Sequence, residues 1–128
     1  MWVQAPPVPF RRILTSLVER ALGARGAVFC DHEGESVELV IRDPELSEYD
    51  MKVFGAQLAS IWMGLQTDSK ERGAGAVIEL RVACGEGNLL CRALPDGYYL
   101  VLLVGRGTPS AYAAFALQAT ALEIAAAL

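Results

Sequence analysis

Tyr98-Tyr99-Leu100-Val101-Leu102-Leu103-Val104-Gly105 is the strongest strand signal in the chain. Both alternating sets are apolar, Tyr98, Leu100, Leu102 and Val104 on one side and Tyr99, Val101 and Leu103 on the other. A strand with one wet face alternates apolar with polar, so this one is expected to be central, with helices on both faces. The turn tripeptide Pro95-Asp96-Gly97 precedes it, and Gly105, Gly107 and Pro109 follow. Thr108 is the expected N-cap and Pro109 the first residue of a last helix running to the C-terminus. Phe115 and Leu122 fall on one side of that helix and Leu117, Ile124 and Leu128 on another, which predicts a well-buried helix.

Working outward, Gly26–Asp31 repeats the same signal on a smaller scale, with Ala27, Val28, Phe29 and Cys30 apolar on both faces. Asp31-His32-Glu33-Gly34 reads as a hairpin turn in which glycine supplies a positive φ. Ser36–Ile41 is the partner strand, and its half-polar face puts it at the sheet margin. On the C-terminal side, Ala76–Cys84 and Asn88–Leu94 are two further strands separated by Gly85-Glu86-Gly87. Phe10–Leu22 is an amphipathic helix with Phe10, Ile13, Leu14, Leu17, Val18 and Ala21 on one side, and Gly23 is its stop. A second helix is expected from about Asp50 to Thr67, and Thr67–Gly75 is expected to be a charged loop. The fold class is therefore α/β (α+β), in the order α-β-β-α-β-β-β-α. The two fully apolar strands belong at the centre, which gives a five-stranded antiparallel sheet of order 2-1-5-4-3 with helices on both faces. Residues 1–9 form a Pro-rich arm and residues 10–128 a single domain.

The second helix has two unlike sides. Met51, Phe54, Leu58, Ile61, Trp62 and Leu65 are expected to face the sheet. Val53, Ala56, Gln57, Ser60, Met63 and Gly64 form the back, and Lys52 is the only charge between Met51 and Thr67. A helix back exposed to water ordinarily carries several charges, so this one is expected to meet protein. The edge strand, with Val77, Glu79 and Arg81 on one of its sides, offers strand addition next to helix-on-helix burial. A helix of this length plus one edge strand supplies area of the order of the ~800 Å² per partner of a standard interface.

Composition excludes several classes. The net charge of −4 gives no basic field for nucleic acid. No apolar run reaches the ~18–20 residues of a membrane span, and the start lacks the basic and apolar regions of a signal peptide. The three cysteines, Cys30, Cys84 and Cys91, have no Cys-x-x-Cys spacing and are read as reduced core thiols of a cytoplasmic protein, with no metal expected. His32 sits in a turn between acids and is read as solvated. Val104-Gly105-Arg106-Gly107-Thr108-Pro109 has no third small residue, no following parallel strand and no downstream acid, so it is read as a tight strand-to-helix turn rather than a dinucleotide loop. No nucleophile motif and no paired carboxylates stand out. The chain is expected to have no cofactor and no catalytic activity of its own.

Three stretches together resemble the roadblock/LC7 domain, the family of dynein light chains and bacterial MglB-type regulators. They are Gly26-Ala-Val-Phe-Cys-Asp-His-Glu-Gly34, the small-residue helix Val53–Gly64, and Leu94-Pro-Asp-Gly-Tyr-Tyr-Leu-Val-Leu-Leu-Val104. The resemblance covers Phe10–Leu128. It implies a homodimer, or a heterodimer with a related roadblock chain, in which two second helices pack side by side and the third strands join into one ten-stranded sheet. It also implies a scaffold or regulator of a small Ras-like GTPase. An arginine lent to a GTPase is worth about 10³–10⁵ in rate, and Arg72 and Arg106 are the loop arginines to test. Two alternatives stand beside this reading. One is a purely structural subunit without a GTPase. The other is a small-ligand sensor resembling PAS or GAF domains, which requires a cavity lined by Phe54, Trp62 and Tyr99.

Overall fold

The computed structural model describes residues 9–128. The expected Pro-rich arm, apart from Pro9, lies outside the described residues, and Pro9 is already the first residue of helix α1 (Pro9–Arg20). Strands β1 (Ala24–Cys30) and β2 (Ser36–Ile41) follow, then helix α2 (Glu48–Glu71). Strands β3 (Glu79–Cys84) and β4 (Gly87–Ala93) lead through a 3₁₀ turn at Pro95–Gly97 into β5 (Tyr99–Gly105) and helix α3 (Ser110–Ala127). The five strands form one sheet of order β2-β1-β5-β4-β3, and every neighbouring pair is antiparallel. The expected α+β architecture and strand order are thus the observed ones.

β5 is fully buried from Tyr99 to Val104. Leu100, Leu102 and Val104 point to a core shared with Leu14 and Leu17 of α1 and Leu117 and Ile124 of α3. Tyr99, Val101 and Leu103 point the other way, to a second core with Met51, Leu58 and Trp62 of α2. Two helices therefore cover one face of the sheet. A single helix, packed on β1 and β2, covers the other.

Local chemistry sets the turns. The Asp31 carboxylate accepts from the backbone N–H of Glu33 at 2.9 Å and of Glu35 at 3.0 Å, while Gly34 takes a φ of +87°, so the hairpin turn is built as the sequence predicts. Gly87 lies so close to β5 that a Cβ there would clash with the Val104 carbonyl oxygen.

Several expectations are corrected. Helix α2 runs on to Glu71 and absorbs the first half of the predicted Thr67–Gly75 loop. Asp68, Ser69, Lys70 and Glu71 are polar but carry no helix-breaking backbone. The stop is Gly73 at φ +81°, behind an Arg72 N–H bonded to the Asp68 carbonyl. Ile61 and Leu65 do not face the sheet; they are 50% and 40% exposed. The buried stripe is instead Met51, Gly55, Leu58, Ala59 and Trp62, because the helix docks on its small residues. β3 starts at Glu79 rather than Ala76, since the side-chain amide of Gln66 holds the Val77 backbone. Its Nε2 donates to the Val77 carbonyl at 3.0 Å and its Oε1 accepts from the Val77 N–H at 3.0 Å. Thr108 does not cap α3; Pro109 occupies that place, and Thr108 packs into the space left by Gly23. α3 is buried on one side only, leaving Phe115, Leu122 and Leu128 exposed. Cys84, at the end of the edge strand, is exposed, while Cys30 and Cys91 are buried.

Candidate interaction surface

Helix α2 presents the candidate surface. Its start is fixed by Ser47, whose hydroxyl accepts from the Asp50 N–H at 3.0 Å, with Glu48 and Asp50 in the first turn where the helix dipole favours acids. Its depth is fixed by Gly55. A Cβ there would sit 2.8 Å from the Cys30 sulfur and 3.3 Å from Val28, and the Tyr99 hydroxyl donates to the Gly55 carbonyl at 2.8 Å. These contacts orient the helix so that Ala56, Gln57, Ser60, Met63 and Gly64 are exposed and Val53 is half-buried. Six predicted residues thus share one solvent-facing side. Ile61 and Leu65 widen it on one flank, and Tyr49 extends it at the helix start.

The remaining predicted residues are distributed differently. Val77 is held by Gln66 beside α2. Glu79 and Arg81 alternate with Leu80 and Val82, which pack toward the α2 side, so their side chains lie on the opposite face of the edge strand. There Glu79 accepts from Arg81 at 3.0 Å and from Arg92 at 3.2 Å. The link between this edge and α2 is therefore the backbone of β3, which is paired with β4 and with no other strand among the described residues. Sequence reasoning missed Ile61 and Leu65 as members of this surface. The signal was an apolar arc wider than one sheet-facing stripe needs.

Gly64 is informative because nothing lies within 4 Å of where its Cβ would be. A mid-helix glycine costs roughly 0.5–1 kcal/mol relative to alanine, and this chain gains no internal contact in return. Gly64→Ala is therefore expected to stabilise the isolated chain by about that amount while weakening association. Thermal unfolding of the dissociated chain and sedimentation of the associated one read the two effects separately. A loss of stability in the dissociated chain would show that Gly64 serves its own fold.

Beneath α2 lies a cluster of neutral ionisable groups. Burial pushes the Cys30 thiol up to about 11 and the Cys91 thiol up to about 12, and burial likewise raises the Tyr99 phenol. Below the ordinary thiol value of 9.0 both states hold these protons, so the groups give stability no pH dependence there. Above it the unfolded chain releases protons that the folded chain keeps. The urea midpoint is expected to fall as pH rises from there through about 11 and 12, less steeply in Cys91→Ala. A midpoint flat across that window would refute the burial of these thiols.

Grooves flank α2 at both ends. One, of about 310 Å³, runs between its start and the β3–β4 hairpin and includes Val53, Phe54, Leu89 and Leu103. The other, of about 320 Å³, lies beside its C-terminal half and includes His32, Trp62, Met63, Lys70 and Tyr99. Phe54 thus lines a different groove from Trp62 and Tyr99, which separates the three residues that a small-ligand sensor would need around one cavity. Among the described residues no group of three or more His, Cys, Asp or Glu side chains is placed to hold a metal ion. Nor is any helix there long and apolar enough to cross a membrane. Arg72 and Arg106 are both exposed, one after the C-terminal end of α2 and the other after the C-terminal end of β5. These ends are far apart, since the last turns of α2 lie by Gly97, which precedes β5.

No family model matches the sequence, and no curated protein does. Solved structures do. An MglB with a tetrameric arrangement superposes with a TM-score of 0.84 at 19% identity, covering 99% of this chain and 93% of that one. A roadblock/LC7 domain from Streptomyces avermitilis gives 0.78 at 17% identity, over 89% of this chain and 92% of that one. The chain has the roadblock/LC7 fold. Within that fold it is also similar to MglC from Myxococcus xanthus, at 25% identity and a TM-score of 0.67, over 93% of this chain and 98% of that one.

Proposed function

We propose that this protein is a non-catalytic, cytoplasmic, dimeric regulator or scaffold that carries a small Ras-like GTPase across its paired second helices. The observation that supports the pairing is the joint one at α2 and β3. A solvent-facing helix side with no charge among Val53, Ala56, Gln57, Ser60, Met63 and Gly64 is tied through Gln66 and Val77 to a strand edge without a partner among the described residues. One neighbour would satisfy both, with α2 against its counterpart and β3 against β3, and a second copy or a related roadblock chain has the right shape for it. The GTPase reading is supported by the resemblance to MglB-type regulators, whose solved structures share this fold, and by the small-residue helix that the resemblance rests on. Neither Arg72 nor Arg106 is required for this reading, because a platform acts by holding the GTPase's own residues.

The test is binding and turnover with the Ras-like GTPases of the source organism, each loaded with GDP or with a non-hydrolysable GTP analogue. Calorimetry is expected to give one GTPase per two chains, with preference for one nucleotide state. Absence of binding by every such GTPase in both states would leave a structural subunit instead.

A further inference from the structure

We propose that the outer face of α3 is a second self-association surface, which takes α3 of another copy of this chain in antiparallel packing about a two-fold axis at Ala119. This surface lies on the opposite side of the sheet from α2, and the masses expected in its test rest on the α2 pairing proposed above.

The exposed side of α3 carries Tyr112, Phe115, Ala119, Leu122 and Ala126. Their spacing of three, four, three and four residues is the heptad seam along which helices pack side by side. Tyr112 is 68%, Phe115 77% and Leu122 69% exposed, and Leu22 beside them is 67% exposed. A groove of about 490 Å³ between the end of α1 and α3, lined by Leu22, Tyr112, Phe115 and Ala116 among others, continues the same face. At 150–250 Å² for each aromatic side chain, the aromatics, leucines and alanines of this face offer roughly 600 Å² per copy. That is at the upper limit of a monomer's largest apolar patch and near the ~800 Å² per partner of a stable interface.

The order of sizes along the seam selects the occupant. Tyr112 and Ala126 lie seven residues either side of Ala119, and Phe115 and Leu122 lie four and three. In an antiparallel pair centred there, each large Tyr112 covers a small Ala126, Phe115 meets Leu122, and the two Ala119 residues let the backbones approach. A parallel pair would set Tyr112 on Tyr112 and leave Ala126 facing Ala126, a clash at one end and a void at the other. Charge agrees. Glu123 is the only ionic residue of α3, and it is already paired with Arg20 at 3.1 Å. Nothing along the seam repels a second copy. A helix lying on a lipid surface would carry Lys and Arg on its polar side, and α3 has none.

The test uses the full chain. At about 100 µM, sedimentation equilibrium of the unmodified protein is expected to give a mass above two chains that rises with concentration. Phe115→Glu is expected to stop at two chains with an unchanged melting temperature, since Phe115 makes little contact with its own fold. In a Cys84→Ser background, Ala119→Cys is expected to form disulfide-linked pairs under mild oxidation, because a disulfide needs Cβ atoms ~4 Å apart. Ala111→Cys, eight residues from the axis, should remain reduced. Equal masses for the unmodified protein and Phe115→Glu would overturn the proposal, as would equal cross-linking of the two cysteine variants. Loss of vesicle adsorption in Phe115→Glu without any change of mass would overturn it in favour of a membrane. Met63→Glu, measured in parallel, reports on the α2 contact alone, so failure of one surface is distinguishable from failure of the other.

Discussion

Met63→Glu is expected to sediment as a single 13.8 kDa chain when the α3 seam is silenced by Phe115→Glu, whereas Phe115→Glu alone sediments as a pair. Met63 is 61% exposed and flanks the uncharged side of α2, so a glutamate there is tolerated by the isolated fold. In a paired helix the same carboxylate is taken out of water against Val53, Ala56, Gln57, Ser60 and Gly64, none of which carries a charge. An unpaired buried charge costs on the order of 3–5 kcal/mol, which corresponds to a loss of roughly 10²–10⁴ in affinity. The circular dichroism spectrum should not change. If the double variant stays paired while folded, the helix face is not the contact. Met63→Gln should be intermediate, since an amide is far cheaper to bury than a carboxylate.

Phe29→Ala is expected to lower stability by about 3–5 kcal/mol, the usual cost of deleting a fully buried phenylalanine. The side chain is completely buried and among the largest that are. Its ring lies 5.1 Å from that of Phe10 and 5.3 Å from that of Tyr98. It therefore ties the first turn of α1 and the entry to β5 onto the centre of the sheet, and the gap it leaves is bounded by elements that cannot collapse independently. For a chain of this size each kcal/mol moves the melting temperature by roughly 3–6 °C, so a fall of about 10–30 °C is expected by calorimetry. A fall of less than about 5 °C would mean that α1 does not close this core.

How much of this was legible in the sequence depended on whether a feature is local. β5 announced itself because both of its faces are apolar, and β1 did so for the same reason. Together with two hairpin turns, those two strands determine the order of the sheet. Gly34 was legible because a tight turn needs its positive φ. The rotation of α2 was not, since hydropathy ranks Ile61 and Leu65 above Gly55 and Ala59. The helix docks through Gly55 because Cys30, Val28 and Tyr99 crowd that point, a fact about three other strand positions. The end of α2 was missed because charge was read as loop, although only Gly73 breaks the helix. The split of the edge residues, with Val77 clamped by Gln66 and Glu79 bound to Arg92, follows from partners 11 and 13 residues away. Phe115 and Leu122 counted as core by hydropathy alone. Geometry leaves them outside, and their exposure is what gives α3 a face to offer.

The central claim is that the outer edge of β3 and the uncharged side of α2 are covered together by a neighbouring roadblock-fold chain. Amide hydrogen exchange along Glu79–Cys84 tests it most directly. In a lone chain the β3 amides that do not bond to β4 face water and exchange within seconds. The account predicts slow exchange at those amides in the unmodified protein, and fast exchange at the same positions in Met63→Glu. Equally fast exchange in both proteins would contradict it.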